Sequence, residues 1–205
     1  MLREILQFFA DELNNYLTLK GEVINTDSPR FLPGNAAKAF DNETGSSSSI
    51  SSPVISNNAI LSIVNIEEDR VAKEQKNYIK TDTTVRYKNP PLYINIYVLI
   101  AMNRTLYTDS LKWLSYVLQY FQHQNVFTHI THPSLDSGIQ KLVVDLYSPS
   151  FEQVNHLWST LGGKYLPSVL YKIRQVTIDE DLTISEGGLI REIQLTEKLK
   201  VPVTE

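Results

Sequence analysis

Two histidines and a nearby serine are the residues of this chain whose types and spacing most resemble a metal site or a catalytic site. His129 and His132 stand three positions apart, and Ser137 follows shortly after them, beside Asp136. In a strand, an offset of three puts two side chains on opposite faces, and no third ligand lies at a zinc-like spacing. A serine nucleophile needs a base and an oxyanion hole, and neither has a sequence signature here. The pattern therefore predicts no metal site, no cofactor and no catalytic residue.

Two other stretches superficially resemble sites for a cation and for phosphate. Glu67, Glu68 and Asp69 form an acidic run. Neighbouring residues in an extended segment point to opposite faces, so we expect solvated charge at a strand end rather than a metal site. Gly162-Gly163-Lys164 lacks the rest of a phosphate loop, because a helical pattern precedes the glycines and Tyr165 follows the lysine. The two glycines instead predict the end of a helix.

The composition describes a globular chain without a strong electrostatic field. Its 205 residues are 42% hydrophobic and include 2 Trp and 11 Tyr, which is enough for a sizeable core. The 19 basic and 23 acidic residues give a net charge of −4, so no basic field draws the chain to nucleic acid or to an anionic membrane. The chain has no cysteine and no apolar run of about 20 residues, which predicts a cytoplasmic protein without a membrane span.

The sequence predicts three amphipathic helices. The first covers residues 2 to 20, and its charged face distinguishes it from a signal peptide. The second covers about 110 to 124, with Thr108 or Asp109 as its N-cap. Its expected buried face consists of Leu111, Leu114, Val117, Leu118 and Phe121. The third helix begins after a cap at Ser150.

Alternation with a period of two predicts the strands. The most apolar run, Leu92 to Met102, follows two prolines and predicts a central strand. Shorter strands are predicted at Ala59 to Asn65, Thr83 to Tyr87, Val126 to His132, Lys141 to Tyr147 and Val169 to Val176. In the last of these, Lys172 and Arg174 share one face with Leu170.

The domain expected from these elements covers residues 1–179. Residues 27–58 within it are rich in serine, proline and glycine, which predicts a mobile insertion. Residues 180–205 are neither strongly apolar nor of low complexity. This C-terminal tail is expected either to pair as a strand with a partner or to fray.

Several short blocks of the chain together carry a family resemblance. The most specific blocks are Pro90-Pro91-Leu92-Tyr93 and Lys164 to Lys172. The others are Ile63 to Arg70, Tyr87 to Asn89, Leu114 to Val117, Phe121-Gln122 and Phe151 to Gln153. In these blocks the chain resembles the cap, or tail-terminator, family of contractile injection systems, phage-tail-like particles of the antifeeding-prophage and virulence-cassette type. The resemblance covers roughly residues 1–20 and 59–179 and leaves the insertion and the tail without a family motif.

The resemblance implies an α/β subunit of the α+β type, in which helices flank a mixed, largely antiparallel central sheet, as in phage tail terminators. Six copies would form a ring that closes the baseplate-distal end of the inner tube and sheath. Such a structural assembly protein has no catalytic residues to transfer. Its partners would be other copies of itself, the sheath protein and the inner tube protein, in a particle assembled in the cytoplasm and then either released or anchored. Whether the chain is the terminal cap or an adaptor layer beneath it stays open.

Five charged residues are the expected contacts in such a ring. Lys172 and Arg174 would face a partner, and Glu67, Glu68 and Asp69 would be the complementary acids. The alternative for all five is ordinary solvated charge, which contributes little to stability.

Two other functions also remain open at this point. A small hydrolase would use His129, His132 or Ser137, with His156 or another distant group converging on them. A soluble adaptor would bind one partner as a monomer through the serine-rich segment.

Overall fold

The computed structural model describes residues 1–22, 30–40, 57–69, 78–80, 84–136, 138–178 and 183–188. The helices in these ranges are α1 (Leu2–Leu19), a 3-10 helix (Ala36–Phe40), α2 (Tyr107–His123) and α3 (Phe151–Thr160). The strands are β1 (Phe31–Pro33), β2 (Asn58–Glu68), β3 (Tyr78–Lys80), β4 (Thr84–Lys88), β5 (Leu92–Asn103), β6 (Val126–Thr128), β7 (Lys141–Tyr147), β8 (Ser168–Ile178) and β9 (Thr183–Gly188). None of the helices in the described ranges is long and apolar enough to cross a membrane.

The chain divides into two compact units. The larger comprises Met1–Ala72 and Leu92–Ile178, and the smaller comprises Lys73–Pro91 and Asp179–Glu205. The smaller unit contains an antiparallel sheet in the order β3-β4-β9. Strand β9 lies in the expected C-terminal tail and pairs with β4 of the same chain. A pairing between segments so far apart in sequence leaves no local signal.

The larger unit is built on a six-stranded sheet in the order β1-β2-β5-β8-β7-β6. Adjacent strands are antiparallel, apart from the parallel pair β1 and β2. The apolar strand β5 lies between β2 and β8, as expected for a strand buried on both faces. The predicted fold class is confirmed: the sheet is mixed and largely antiparallel, and helices flank it.

Helices α1 and α2 cover the first face of this sheet. The aromatic ring of Phe127 lies at the centre of their contact, 5.3 Å from the ring of Phe9 and nearly perpendicular to it. Edge-to-face pairs of this kind stabilise a core beyond the area that they bury. The surrounding buried side chains include Leu13, Leu17, Ile96, Val98, Ile100, Trp113, Val117 and Phe121.

The start of α2 differs from the prediction. The helix begins at Tyr107, and its N-cap is Leu106, which makes no side-chain capping hydrogen bond. Thr108 or Asp109 as the N-cap was therefore wrong. The Asp109 carboxylate instead lies 3.5 Å from the guanidinium of Arg104.

The buried face of α2 is also rotated from the predicted one. Trp113 and Tyr120 are only 3% and 8% exposed, whereas Leu111 and Leu118 are 42% and 39% exposed. Burying the large aromatic rings removes more apolar area from water than burying the leucines. Of the predicted face, Val117 and Phe121 are buried, while two leucines are left at the surface.

Helix α3 covers part of the second face of the sheet. Its buried Trp158 packs with Ala36, Leu99, Ala101 and Leu170. The predicted cap is confirmed, because the Ser150 hydroxyl accepts a hydrogen bond from the backbone of Gln153 and the Gln153 side chain accepts one in return. The predicted stop is confirmed as well, since Gly162 and Gly163 have φ values of 106° and 76°.

Residues 30–40 form β1 and the 3-10 helix, although they lie inside the expected mobile insertion. Phe31 is fully buried and pairs with Ala59. The Asn14 side chain on α1 accepts hydrogen bonds from the backbone of Arg30 and Phe31, at 3.0 and 2.9 Å, and donates one to the carbonyl of Phe31. In this part of the expected insertion, a distant asparagine satisfies the backbone of residues 30 and 31. The rest of the expected insertion, apart from Asn57 and Asn58, lies outside the described residues.

Candidate interface site

Charged side chains cross the exposed part of the second face of the six-stranded sheet. Glu67 lies on β2, Tyr97 on β5, Lys172 and Arg174 on β8, and Asp145 on β7. These four strands are neighbours in the sheet. The backbone register places Tyr97 and Asp145 directly opposite Lys172, so the side chains share one face. We call these five residues the polar stripe.

One half of the polar stripe is a three-residue network. The Tyr97 hydroxyl donates a hydrogen bond to Glu67 Oε2 at 2.8 Å. Lys172 Nζ donates to the same oxygen at 3.3 Å. The ammonium also lies 5.3 Å from the centre of the Tyr97 ring, within reach of a cation–π attraction. One carboxylate oxygen therefore ties three neighbouring strands together.

This network shifts the pKa of each of its members. The pKa of Glu67 is lowered, first by the hydrogen bond from Tyr97 and then by Lys172. Burial is the main cause that raises the pKa of Tyr97. The pKa of Lys172 is raised, chiefly by its hydrogen bond with Tyr97. All three shifts favour a carboxylate, a neutral phenol and an ammonium at neutral pH.

The other half of the polar stripe is an ion pair at a bulge in β8. Arg174 Nε lies 2.6 Å from Asp145 Oδ2, and both side chains are about half exposed. The next residue, Gln175, has a φ of 68°, which is uncommon for a residue other than glycine. The bulge allows Ile173 and Val176 to be buried on the same face although they are three positions apart.

Three of the five residues predicted as contacts, Glu67, Lys172 and Arg174, lie in the polar stripe. Glu67 and Lys172 form an ion pair with each other within one chain. Arg174 pairs with Asp145, which the sequence did not single out. Glu68 lies opposite Ile94 and points away from Glu67, and Asp69 follows β2 with its backbone N–H bonded to Tyr93.

Tyr97 and Asp145 are the stripe residues that sequence reasoning missed. Each lies on the face of its strand that carries fewer aliphatic residues, and this position is the one sequence signal that could have identified it as a candidate. Their partners follow from strand register, which a single sequence does not specify. Together the five side chains carry two positive and two negative charges. The polar stripe is therefore a balanced pattern of charges at fixed positions, suited to recognising a complementary surface.

The histidines contribute to a turn. Strand β6 ends at Thr128, so His129 and His132 lie beyond it and not in the predicted strand. His129 Nδ1 lies 2.9 Å from the carbonyl oxygen of Leu135, and His132 Nδ1 lies 2.9 Å from the hydroxyl of Thr131. The prediction of opposite strand faces was wrong, because the residues do not form a strand.

The other elements of the hydrolase alternative do not form a site in the described ranges. His156 lies on α3, whereas the two other histidines lie in the turn after β6. Asp136 accepts a hydrogen bond from the backbone of Gly138, and Ser137 lies outside the described residues. Within those ranges, no three His, Asp or Glu side chains lie together as metal ligands would.

Comparison with known proteins identifies a family, and similar solved structures include two terminator proteins. The model of the Pvc16 N-terminal domain family matches residues 4–192. The sheath/tube terminator of an extracellular contractile injection system, PVC in its extended state, has a similar fold, with 15% identity and a TM-score of 0.59. That likeness covers 100% of this chain and 65% of the terminator, so the chain spans just under two thirds of the terminator's length. The tube-terminating cap of the anti-feeding prophage gives 15% identity and a TM-score of 0.44, over 71% of this chain and 50% of the cap. No curated protein matches the chain.

Proposed function

The chain belongs to the Pvc16 N-terminal domain family, and from this premise we propose that it terminates the inner tube and sheath of a contractile injection system. Family membership confirms the resemblance found in the sequence blocks. The observation that carries the proposal is the family match over residues 4–192, and the terminator-like fold supports it. The role is structural and needs no catalytic step.

In the proposed assembly, six copies form a ring at the baseplate-distal end of the particle. Identical subunits close into a ring when each uses two different surfaces and the rotation between neighbours returns to the start. The ring contacts the last layers of inner tube and sheath protein and stops their polymerisation. It assembles in the cytoplasm as part of a particle that is later released or anchored.

The first test measures the mass of the purified chain by light scattering and images the same fraction by negative stain. Six-fold rings are expected, either alone or after addition of tube protein. Addition of the chain to polymerising tube protein should shorten the tubes in proportion to its concentration. A chain that stays monomeric with tube protein present, and leaves tube length unchanged, contradicts the proposal.

We also propose that the polar stripe contacts a partner in this assembly, and that Glu68 and Asp69, which follow Glu67 along the chain, take part in the same interface. The fixed charges of the stripe support this role, because charge pairs at an interface set orientation and exclude wrong partners. The sharpest test exchanges the charges in place, as Glu67→Lys with Lys172→Glu, and as Asp145→Arg with Arg174→Asp.

Each exchange keeps an ion pair inside the chain but reverses the pattern shown to a partner. If the polar stripe is a contact, each exchanged variant should keep its thermal unfolding midpoint and lose tube capping. The single variant Lys172→Glu is the matched control, because it disrupts both the internal pair and the external pattern. Normal capping by both exchanged variants would restrict the stripe to a role inside the sheet.

A further inference from the structure

Helix α2 leaves apolar side chains at the surface where its sequence pattern predicted burial. Leu118 is partly exposed because the aromatic side chains of the helix take the inner positions. Across from it, Leu146 on β7 is 55% exposed. Both leucines belong to the larger unit and stand on either side of one groove.

This groove has a volume of about 550 Å³ and an apolar floor. The floor consists of the buried residues Phe121, Val144 and Tyr171. The exposed polar residues Gln119 and Gln122 of α2 also line the groove. Apolar walls with polar groups at the rim are typical of grooves that hold a peptide segment.

The β7 edge of the groove also offers backbone hydrogen bonds. Among the described residues, β6 pairs with β7 only over Lys141 to Val143, and one further bond joins the N–H of Val144 to the carbonyl of Asn125. Peptide groups two positions apart on a strand point to the same edge. The N–H and C=O of Leu146 therefore point outward beyond the end of β6, where an added strand would pair.

The chain contains a segment suited to this groove. Residues 189–205 follow β9 and lie outside the described residues. In them, Ile193 and Leu195 alternate with the polar Gln194 and Thr196, which is the pattern of a half-buried strand. At roughly 3.3 Å per residue, the segment would span roughly 55 Å if it were fully extended.

We propose that residues 189–205 of one copy add as a strand to the β7 edge of the next copy and place Ile193 and Leu195 in the groove. The inference rests on the proposed function, which brings copies side by side. A tail and a groove are two different surfaces, so the contact is heterologous and repeats from subunit to subunit, as a closed ring requires. Strand addition supplies the affinity through backbone hydrogen bonds, and the groove supplies the register.

The test is site-specific cross-linking, which is clean because the natural chain has no cysteine. Copies carrying Leu146→Cys are mixed with copies carrying Ile193→Cys under mild oxidation. A disulfide-linked pair of chains is expected from this mixture. Leu111→Cys is the matched control, since Leu111 lies two turns away on α2 with similar exposure and does not line the groove. Its mixture with Ile193→Cys should give a several-fold lower yield of linked chains.

Two charge variants give a second readout by light scattering. Ile193→Asp with Leu195→Asp should weaken the affinity of the copies for one another in the ring by about tenfold or more, because it places charge in an apolar groove. Gln194→Asp with Thr196→Asp adds the same charge on the alternate positions and should leave the rings within about twofold, since those side chains stay in water.

The outcomes separate this inference from the proposed function. If the natural chain forms rings but the mixture of Leu146→Cys and Ile193→Cys copies gives no cross-link, the groove contact is overturned and the terminator role is left intact. A link that forms only within one chain, in the variant carrying both Leu146→Cys and Ile193→Cys, shows that the tail covers its own groove and also overturns it. A natural chain that stays monomeric with tube protein contradicts the ring itself.

Discussion

The two faces of the six-stranded sheet are covered in different ways. On the first face, α1 and α2 enclose one continuous apolar core with Phe127 at its centre. On the second face, α3 covers a smaller cluster around Trp158, and the polar stripe occupies exposed sheet beside it. The first face therefore holds most of the buried apolar area, while the second holds charges whose positions are fixed by strand register. Substitutions in the core of the first face should therefore lower stability, whereas substitutions in the polar stripe on the second face should mainly impair recognition of a partner.

The largest effect is expected at the centre of the first face. Phe127→Ala removes a ring that contacts Phe8, Phe9 and Phe121, and should lower the free energy of unfolding by about 3–5 kcal/mol. Urea unfolding followed by circular dichroism measures the change. Leu111→Ala on the exposed side of α2 is the control, with an expected change of about 0.5 kcal/mol or less. Equal losses from both variants would contradict the assignment of the core.

The next effect tests how α1 holds the edge of the sheet. Asn14→Ala removes one acceptor and one donor that together serve three backbone groups of residues 30 and 31. The expected loss is about 2 kcal/mol, because partly buried backbone groups are left without partners. Hydrogen exchange should then show faster exchange at Phe31 than at the central strand β5. Unchanged protection at Phe31 would mean that its pairing with β2 suffices.

Local sequence patterns predicted where the helices and strands begin and end better than they predicted which residues of different elements contact each other. Ser150 and the pair Gly162-Gly163 marked both ends of α3, because capping depends on neighbours within a few positions. The buried face of α2 was misjudged, since leucine and tryptophan both fit a helical stripe and only tertiary packing decides between them. The pairing of Glu67 with Lys172 depends on register across three strands, which no local pattern specifies.

A smaller effect is expected at the helix that covers the second face. Ser150→Ala removes the capping hydroxyl at the start of α3 and should cost about 1 kcal/mol. Ser159→Ala near the end of the same helix is the control and should change stability little, because alanine has the higher helix propensity. Thermal unfolding of both variants provides the comparison. A loss from Ser150→Ala as large as that from Phe127→Ala would mean that the second face carries as much stability as the first.

The smallest and most specific change in stability is expected from the polar stripe when the pH is lowered. The folded state lowers the pKa of Glu67 below its usual 4.5. The stabilisation from this carboxylate is therefore fully present above pH 4.5 and is lost as pH falls through the lower folded pKa. Glu67→Gln should remove this part of the acid dependence, measured as the difference between urea midpoints at neutral and acidic pH.

The cause of the lowered pKa can be resolved in the same network. The hydrogen bond from Tyr97 is the largest single cause, so Tyr97→Phe should raise the pKa of Glu67; Lys172→Met removes a hydrogen bond and a Coulombic attraction and should raise it as well. A carboxyl NMR titration of Glu67 in each variant measures both shifts. A larger rise with Lys172→Met would make the ion pair, and not the phenol, the main support of this carboxylate. The second face would then be organised by charge alone, and its response to salt should grow accordingly.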